Sequence, residues 1–140
     1  MRVAGLPRFV ALAVLGGHVW LVVAGVLVAL AAPLESGLLY DAALHALFLG
    51  FVLGMVFAHA PIIFPAVLGA PLAFHGSFYA DLALLEISLA ARIVGDLTGA
   101  VEVARWGGLG NGLALASFLA STVIAAMRGR AARTHPATSR

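Results

Sequence analysis

Residues 9 to 31 read FVALAVLGGHVWLVVAGVLVALA, an apolar run from Phe9 to Ala31 with no formal charge. A helix that crosses the hydrocarbon core of a bilayer needs about 20 such residues. Arg2 and Arg8 before the run, and Ala29-Leu30-Ala31 at its end, resemble a secretory signal with a small-residue cleavage site. The run is longer than the roughly 7–15 apolar residues of a secretory core, so it is read as a retained membrane helix. Pro33-Leu34-Glu35-Ser36-Gly37 then breaks it.

Working outward, the same criterion finds three more spans, at about 43–68, 78–94 and 109–127. The stretch Gly95–Gly108 holds Asp96, Glu102, Arg105 and Trp106 and reads as an interfacial loop. Composition agrees with a membrane assignment. Of 140 residues, 63% are hydrophobic and 10% charged, against roughly 25% charged in soluble domains. Mean hydropathy is +1.09. The expected fold is all-α: a single four-span transmembrane bundle over residues 1–127, followed by a basic, disordered tail at 128–140.

The absence of cysteine excludes disulfides, zinc-thiolate sites, iron–sulfur clusters and thiol chemistry. Lysine and glutamine are also missing, and Asn111 is the single asparagine, a composition that fits a heat-adapted or GC-rich source. The pI near 9.9 does not imply nucleic-acid binding. It comes largely from arginines near the termini: Arg2, Arg8, Arg128, Arg130, Arg133 and Arg140. Such ends set orientation or touch anionic lipid. With acidic residues and no arginine in the loop after the first span, the positive-inside bias places both termini in the cytoplasm. The His75 loop then lies on the cytoplasmic side, and the Glu35 and Glu102 loops lie outside. The expected location is the inner membrane of a prokaryote.

Helices in lipid associate through small residues. Gly50, Gly54 and Ala58 form one four-residue ladder, and Gly108, Gly112, Ala116 and Ala120 form another. At 100° per residue, His45 and His59 fall within about 40° of each other and opposite the first ladder. His18 and His59 should sit at similar depth on antiparallel helices. They are the candidate ligands for haem iron or copper, with His75 as fallback and His45 read as polar anchoring. Glu86 and Arg92 on the third span are candidates for contact with a partner, and Arg92 also for pairing with Asp96. Trp20, Trp106, Tyr40 and Tyr79 read as interfacial belt residues. The residues alone leave open whether haem b, copper or no cofactor is held.

The stretch His45-Ala-Leu-Phe-Leu-Gly-Phe, then His59-Ala-Pro-Ile-Ile-Phe-Pro, Gly69-Ala-Pro and Leu82-Ala-Leu-Leu-Glu-Ile-Ser-Leu-Ala-Ala-Arg92 resembles a helix pair of NnrS-type proteins. It is also similar to helices in subunit I of haem-copper oxidases and nitric oxide reductases. The resemblance covers about residues 41–97. It carries His45 and His59 over as positions and implies respiration or denitrification. Those proteins have about twelve spans, so a complete dinuclear centre is not expected in a four-span chain. The implied function is a small accessory subunit of a terminal reductase complex, supporting assembly, stability or electron and quinol entry. It would have no catalysis of its own, and its partner would be a larger membrane reductase or oxidase subunit. The alternative is a stand-alone haem- or copper-binding membrane protein of the nitric oxide response.

Overall fold

The computed structural model describes residues 5–31, 36–69 and 74–134. Arg2, Glu35, His135 and Arg140, which entered the orientation argument or the tail, lie outside them. The chain forms α1 (Gly5–Ala31), α2 (Leu38–His45), a π-helical segment (Ala46–Leu53), α3 (Gly54–Leu68), α4 (Ser77–Thr98) and α5 (Val101–Thr134). No strand occurs among the described residues.

Three stretches are long and apolar enough to cross a membrane: Gly5–Leu30, Leu38–Val67 and Val101–Gly129. The second is a continuous helical path through α2, the π segment and α3. Helix α4, with 22 residues, falls outside this group because it carries Asp81, Glu86, Arg92 and Asp96. Those charges all avoid one face. Ala80, Ala83, Ile87, Ala90, Val94 and Leu97 recur at helical spacing and are exposed, so α4 turns an uncharged stripe outward and its polar residues toward its neighbours.

The bundle is two antiparallel pairs. Helix α1 packs along α2, the π segment and α3, while α4 and α5 form the most extensive pairing in the molecule. At one end Phe9, Phe57, Phe78, Leu85 and Phe118 make a buried core, with Phe57 and Phe118 stacked at 3.7 Å between ring centroids. At the other end Ala24, Leu27, Ala43, Ala46, Leu89 and Ile93 join α1, α2, the π segment and α4.

The expected loop Gly95–Gly108 is helical except at Gly99 and Ala100. Gly99 has φ of 69°, the left-handed conformation that ends a helix, and the Ala100 N–H donates back to the Gly95 carbonyl at 2.9 Å. Charge had suggested a loop, but these charges are accommodated on helices: Asp96 pairs with Arg92 at i−4, and Arg105 with Glu102 at i−3. Helix α5 also continues to Thr134, into the segment read as a disordered tail.

The π segment changes which faces meet. Its i→i+5 turns advance fewer degrees per residue than an α-helix, so the 100° count from His45 to His59 does not hold. His45 is half-buried against the α4 side, whereas His59 is exposed.

Candidate functional site

Four charged residues on α4 organise three polar constellations. The most extensive lies where α2, the end of α4 and the start of α5 converge. Arg92 donates through Nη2 to Asp41 Oδ2, through Nε to Asp96 Oδ2 at 3.1 Å, and through Nη1 to the Ala104 carbonyl at 3.3 Å. His45 Nδ1 lies 2.8 Å from the Asp41 carbonyl and 3.4 Å from Asp41 Oδ1. Asp41, His45 and Asp96 place potential ligand atoms within 4.8 Å of one another. The guanidinium already occupies both carboxylates, so the group is built as an ion-pair cluster. It joins three elements at one end of the bundle. The pairing of Arg92 with Asp96 follows its sequence spacing of four residues; Asp41 reaches the cluster from a different helix.

Midway along α4, Glu86 Oε2 accepts the Trp20 indole N–H at 2.6 Å. A Cβ on Gly16 would sit 2.6 Å from Glu86 Oε1, so α1 has a glycine where the carboxylate needs room. Trp20 is therefore an interior residue of α1 and not part of an interfacial belt. Its indole N–H finds a partly buried partner, as such groups do when they leave water.

Against α5, Asp81 Oδ1 accepts the Ser117 hydroxyl, and the Ser88 hydroxyl donates to Asn111 Oδ1 at 2.6 Å. Asp81 Oδ2 and Asn111 Nδ2 are buried without a hydrogen-bond partner among the described residues. Sequence reasoning missed Asn111 as a site residue; its being the only asparagine was the available signal.

The candidate ligands His18 and His59 share one local device. Each places Nδ1 2.8 Å from the carbonyl four residues back, Val14 and Met55 respectively. A carbonyl only accepts, so Nδ1 carries the proton and Nε2 keeps its lone pair. An oriented N–H opposite a bare nitrogen is the arrangement that metal-bound imidazoles use. As donor chemistry, each residue fits one ligand position for copper or haem iron. The His18 ring packs edge-on against Phe51 at 5.8 Å, and Phe51 precedes His59 by eight residues. Gly17, beside His18, lies against Gly54 on this path, five residues before His59. His59 lines an apolar groove of about 440 Å³ with Phe51, Val52, Met55, Val56 and Ile63. His75 lies at the start of α4, in a different cleft.

The small-residue ladders divide. Gly54 lies against Gly17 and Ala13, and Gly50 against Trp20, where no Cβ would fit. Both residues lie within the contact between α1 and the second helical path. Gly112 faces outward, with nothing within 4 Å of an added Cβ. The α5 face that meets α4 is instead Ala104, Gly107, Asn111, Ala114 and Phe118, all buried.

Fold and site together define an all-helical protein with three membrane-length apolar helices and a fourth whose charges are turned inward. The chain belongs to the family described as Domain of unknown function (DUF8744), which matches residues 1–127. No curated protein and no solved structure matches it significantly.

Proposed function

We propose that this chain crosses the inner membrane of a prokaryote four times, with both termini in the cytoplasm. It acts there as a small accessory subunit of a larger membrane reductase or oxidase. The observation that carries the docking role is the outward face of α5. Gly112, Ala116 and Ala120 are exposed, and Gly108 is half-buried beside them. A smooth stripe of this kind on a spanning helix lets a second helix approach closely. Helix α4 supports the fourth crossing, because its outward stripe is apolar and its charges have partners within the bundle. The resemblance of residues 41–97 to NnrS-type and haem-copper proteins supplies the reductase assignment. In this role the chain supports assembly, stability or electron and quinol entry and leaves the main reaction to its partner.

Gentle detergent purification, followed by mass identification of co-purifying chains, tests this reading. Wild type should bring down a larger reductase or oxidase subunit. Gly112→Leu should lose that partner while keeping its own fold, since among the described residues nothing lies within 4 Å of a Cβ added there. Purification of wild type alone, or an unchanged complex in Gly112→Leu, would overturn the docking role.

The bare Nε2 of His59 in its apolar groove favours a second reading, a haem- or copper-binding protein of the nitric oxide response. Such a group would bring a redox-active metal centre. His59 and His18 would each supply one oriented imidazole. Absorption and metal content that disappear in both His59→Ala and His18→Ala would support this. Colourless, metal-free, folded protein would end it.

A further inference from the structure

At the end of the bundle opposite the Arg92 cluster, a cleft of about 310 Å³ opens between the start of α4 and the later part of α5. Its polar lining is Arg128, His75, Ser77 and Ser121, above a floor of Phe74, Ile124 and Ala125. No carboxylate lines it. Among the described residues Arg128 forms no ion pair and neither serine hydroxyl is engaged in a hydrogen bond. His75 Nδ1 accepts the Ser77 backbone N–H at 3.3 Å. The proton of a neutral His75 ring therefore sits on Nε2, making the ring a donor at either charge. The first turn of α4 carries no acidic side chain, so nothing neutralises the positive end of its dipole. Guanidinium, imidazole N–H and two hydroxyls together form a donor set for a phosphate-type anion.

The position of the cleft selects the source of that anion. Arg128 stands at the end of the apolar span Val101–Gly129, the level at which lipid headgroups meet a spanning helix. Ile124 on the floor is itself exposed, and Leu113, exposed and within about 20° of it on the same helix face, continues that face toward the middle of the span, a path along which an acyl chain can lie. We propose that this cleft binds the phosphodiester headgroup of an anionic phospholipid, held by Arg128, His75, Ser77 and Ser121, with its tail along α5. The proposal holds whichever side of the membrane this end faces, and it does not depend on the partner assignment.

Native mass spectrometry and thermal unfolding in mild detergent, with phosphatidylglycerol, phosphatidylcholine or inorganic phosphate added, test it. Phosphatidylglycerol should be retained and should raise the midpoint of unfolding more than the other two. Loss of one basic group near a lipid surface weakens binding roughly fivefold, and Arg128→Gln should show at least that loss. Adding Ser121→Ala should deepen it. Arg105→Gln, an exposed arginine at the other end, should retain lipid like wild type. Because Arg128 is exposed, its variant should keep the wild-type helical circular dichroism, which separates lost binding from lost fold. Equal protection by inorganic phosphate, equal retention of phosphatidylcholine, or undiminished phosphatidylglycerol binding in the double variant would each overturn the assignment.

Discussion

Arg92 satisfies acceptors from three elements with one planar group, a geometry that lysine does not reproduce. Asp96 is almost fully buried, with 1% of its side chain exposed, while Asp41 is 37% exposed. Arg92→Gln would therefore strand one buried carboxylate and release the other toward the interface. Removing one partner of a fully buried pair costs roughly 3–5 kcal/mol; the exposure of Asp41 lowers the expected loss here to about 2 kcal/mol. Reversible unfolding in detergent micelles measures it. Combining Arg92→Gln with Asp96→Asn should cost less than the sum of the single changes, because no unpaired buried charge remains. Fully additive losses would mean that the two residues do not act as a pair. The sequence made the Arg92–Asp96 pair readable, since residues four apart share a helix face. Asp41 joins them from 51 positions away, a separation over which helical spacing carries no information. Trp20 and Glu86 were hidden for the same reason.

At the scale of elements, one alphabet of small residues serves two purposes. The ladders on the second path and on α5 look alike in sequence, yet Gly54 is buried against α1 and Gly112 is open. Spacing identifies a smooth face; it does not say what covers that face. The buried side of α5 passes through Gly107, where an added Cβ would collide with the Arg92 backbone, and Gly110, where it would sit 2.6 Å from Ser88 Cβ. Gly107→Ala should force the α4–α5 pair apart and cost on the order of 1–3 kcal/mol, as overpacking of a tight contact does. Gly112→Ala should be neutral or stabilising by up to about 1 kcal/mol, since alanine favours a helix interior over glycine. The pair of variants measured side by side checks the register of α5. Equal effects would mean that the helix is rotated from its described face. Helix existence and the breaks at residues 36–37 and 74–76 were legible from hydropathy. The π segment was not, because its residues Ala-Leu-Phe-Leu-Gly-Phe-Val-Leu suit an α-helix equally well, and that hid the divergence of His45 from His59.

For the whole molecule the decisive question is whether α4 crosses the bilayer. Its four charges argue against a crossing and its packing argues for one. At 1.5 Å per residue its 22 residues extend about 33 Å, close to the thickness of the hydrocarbon core. An intramembrane charge is tolerated when it faces the bundle and has a partner. Glu86 has Trp20, Asp81 has Ser117, and Arg92 has Asp41 and Asp96. The ends of the bundle also differ in sign. Arg8 and Arg128 mark the end near the Phe9 core, with Arg2, Arg130, Arg133 and Arg140 beside them in sequence, while the opposite end has Arg92 and Arg105, each paired with acidic residues. The larger number of arginines at the first end is the asymmetry that the positive-inside bias translates into orientation. The chain has no native cysteine, so single introduced thiols report topology without background. Ser36, Gly76 and Glu102 are exposed and lie outside or at the ends of the helices. Ser36→Cys and Glu102→Cys should react with a membrane-impermeant maleimide added to intact cells, whereas Gly76→Cys should react only after the membrane is opened. Labelling of Gly76→Cys and Glu102→Cys from the same side would show that α4 lies along the membrane surface, reducing the crossings to three and placing the two termini on opposite sides.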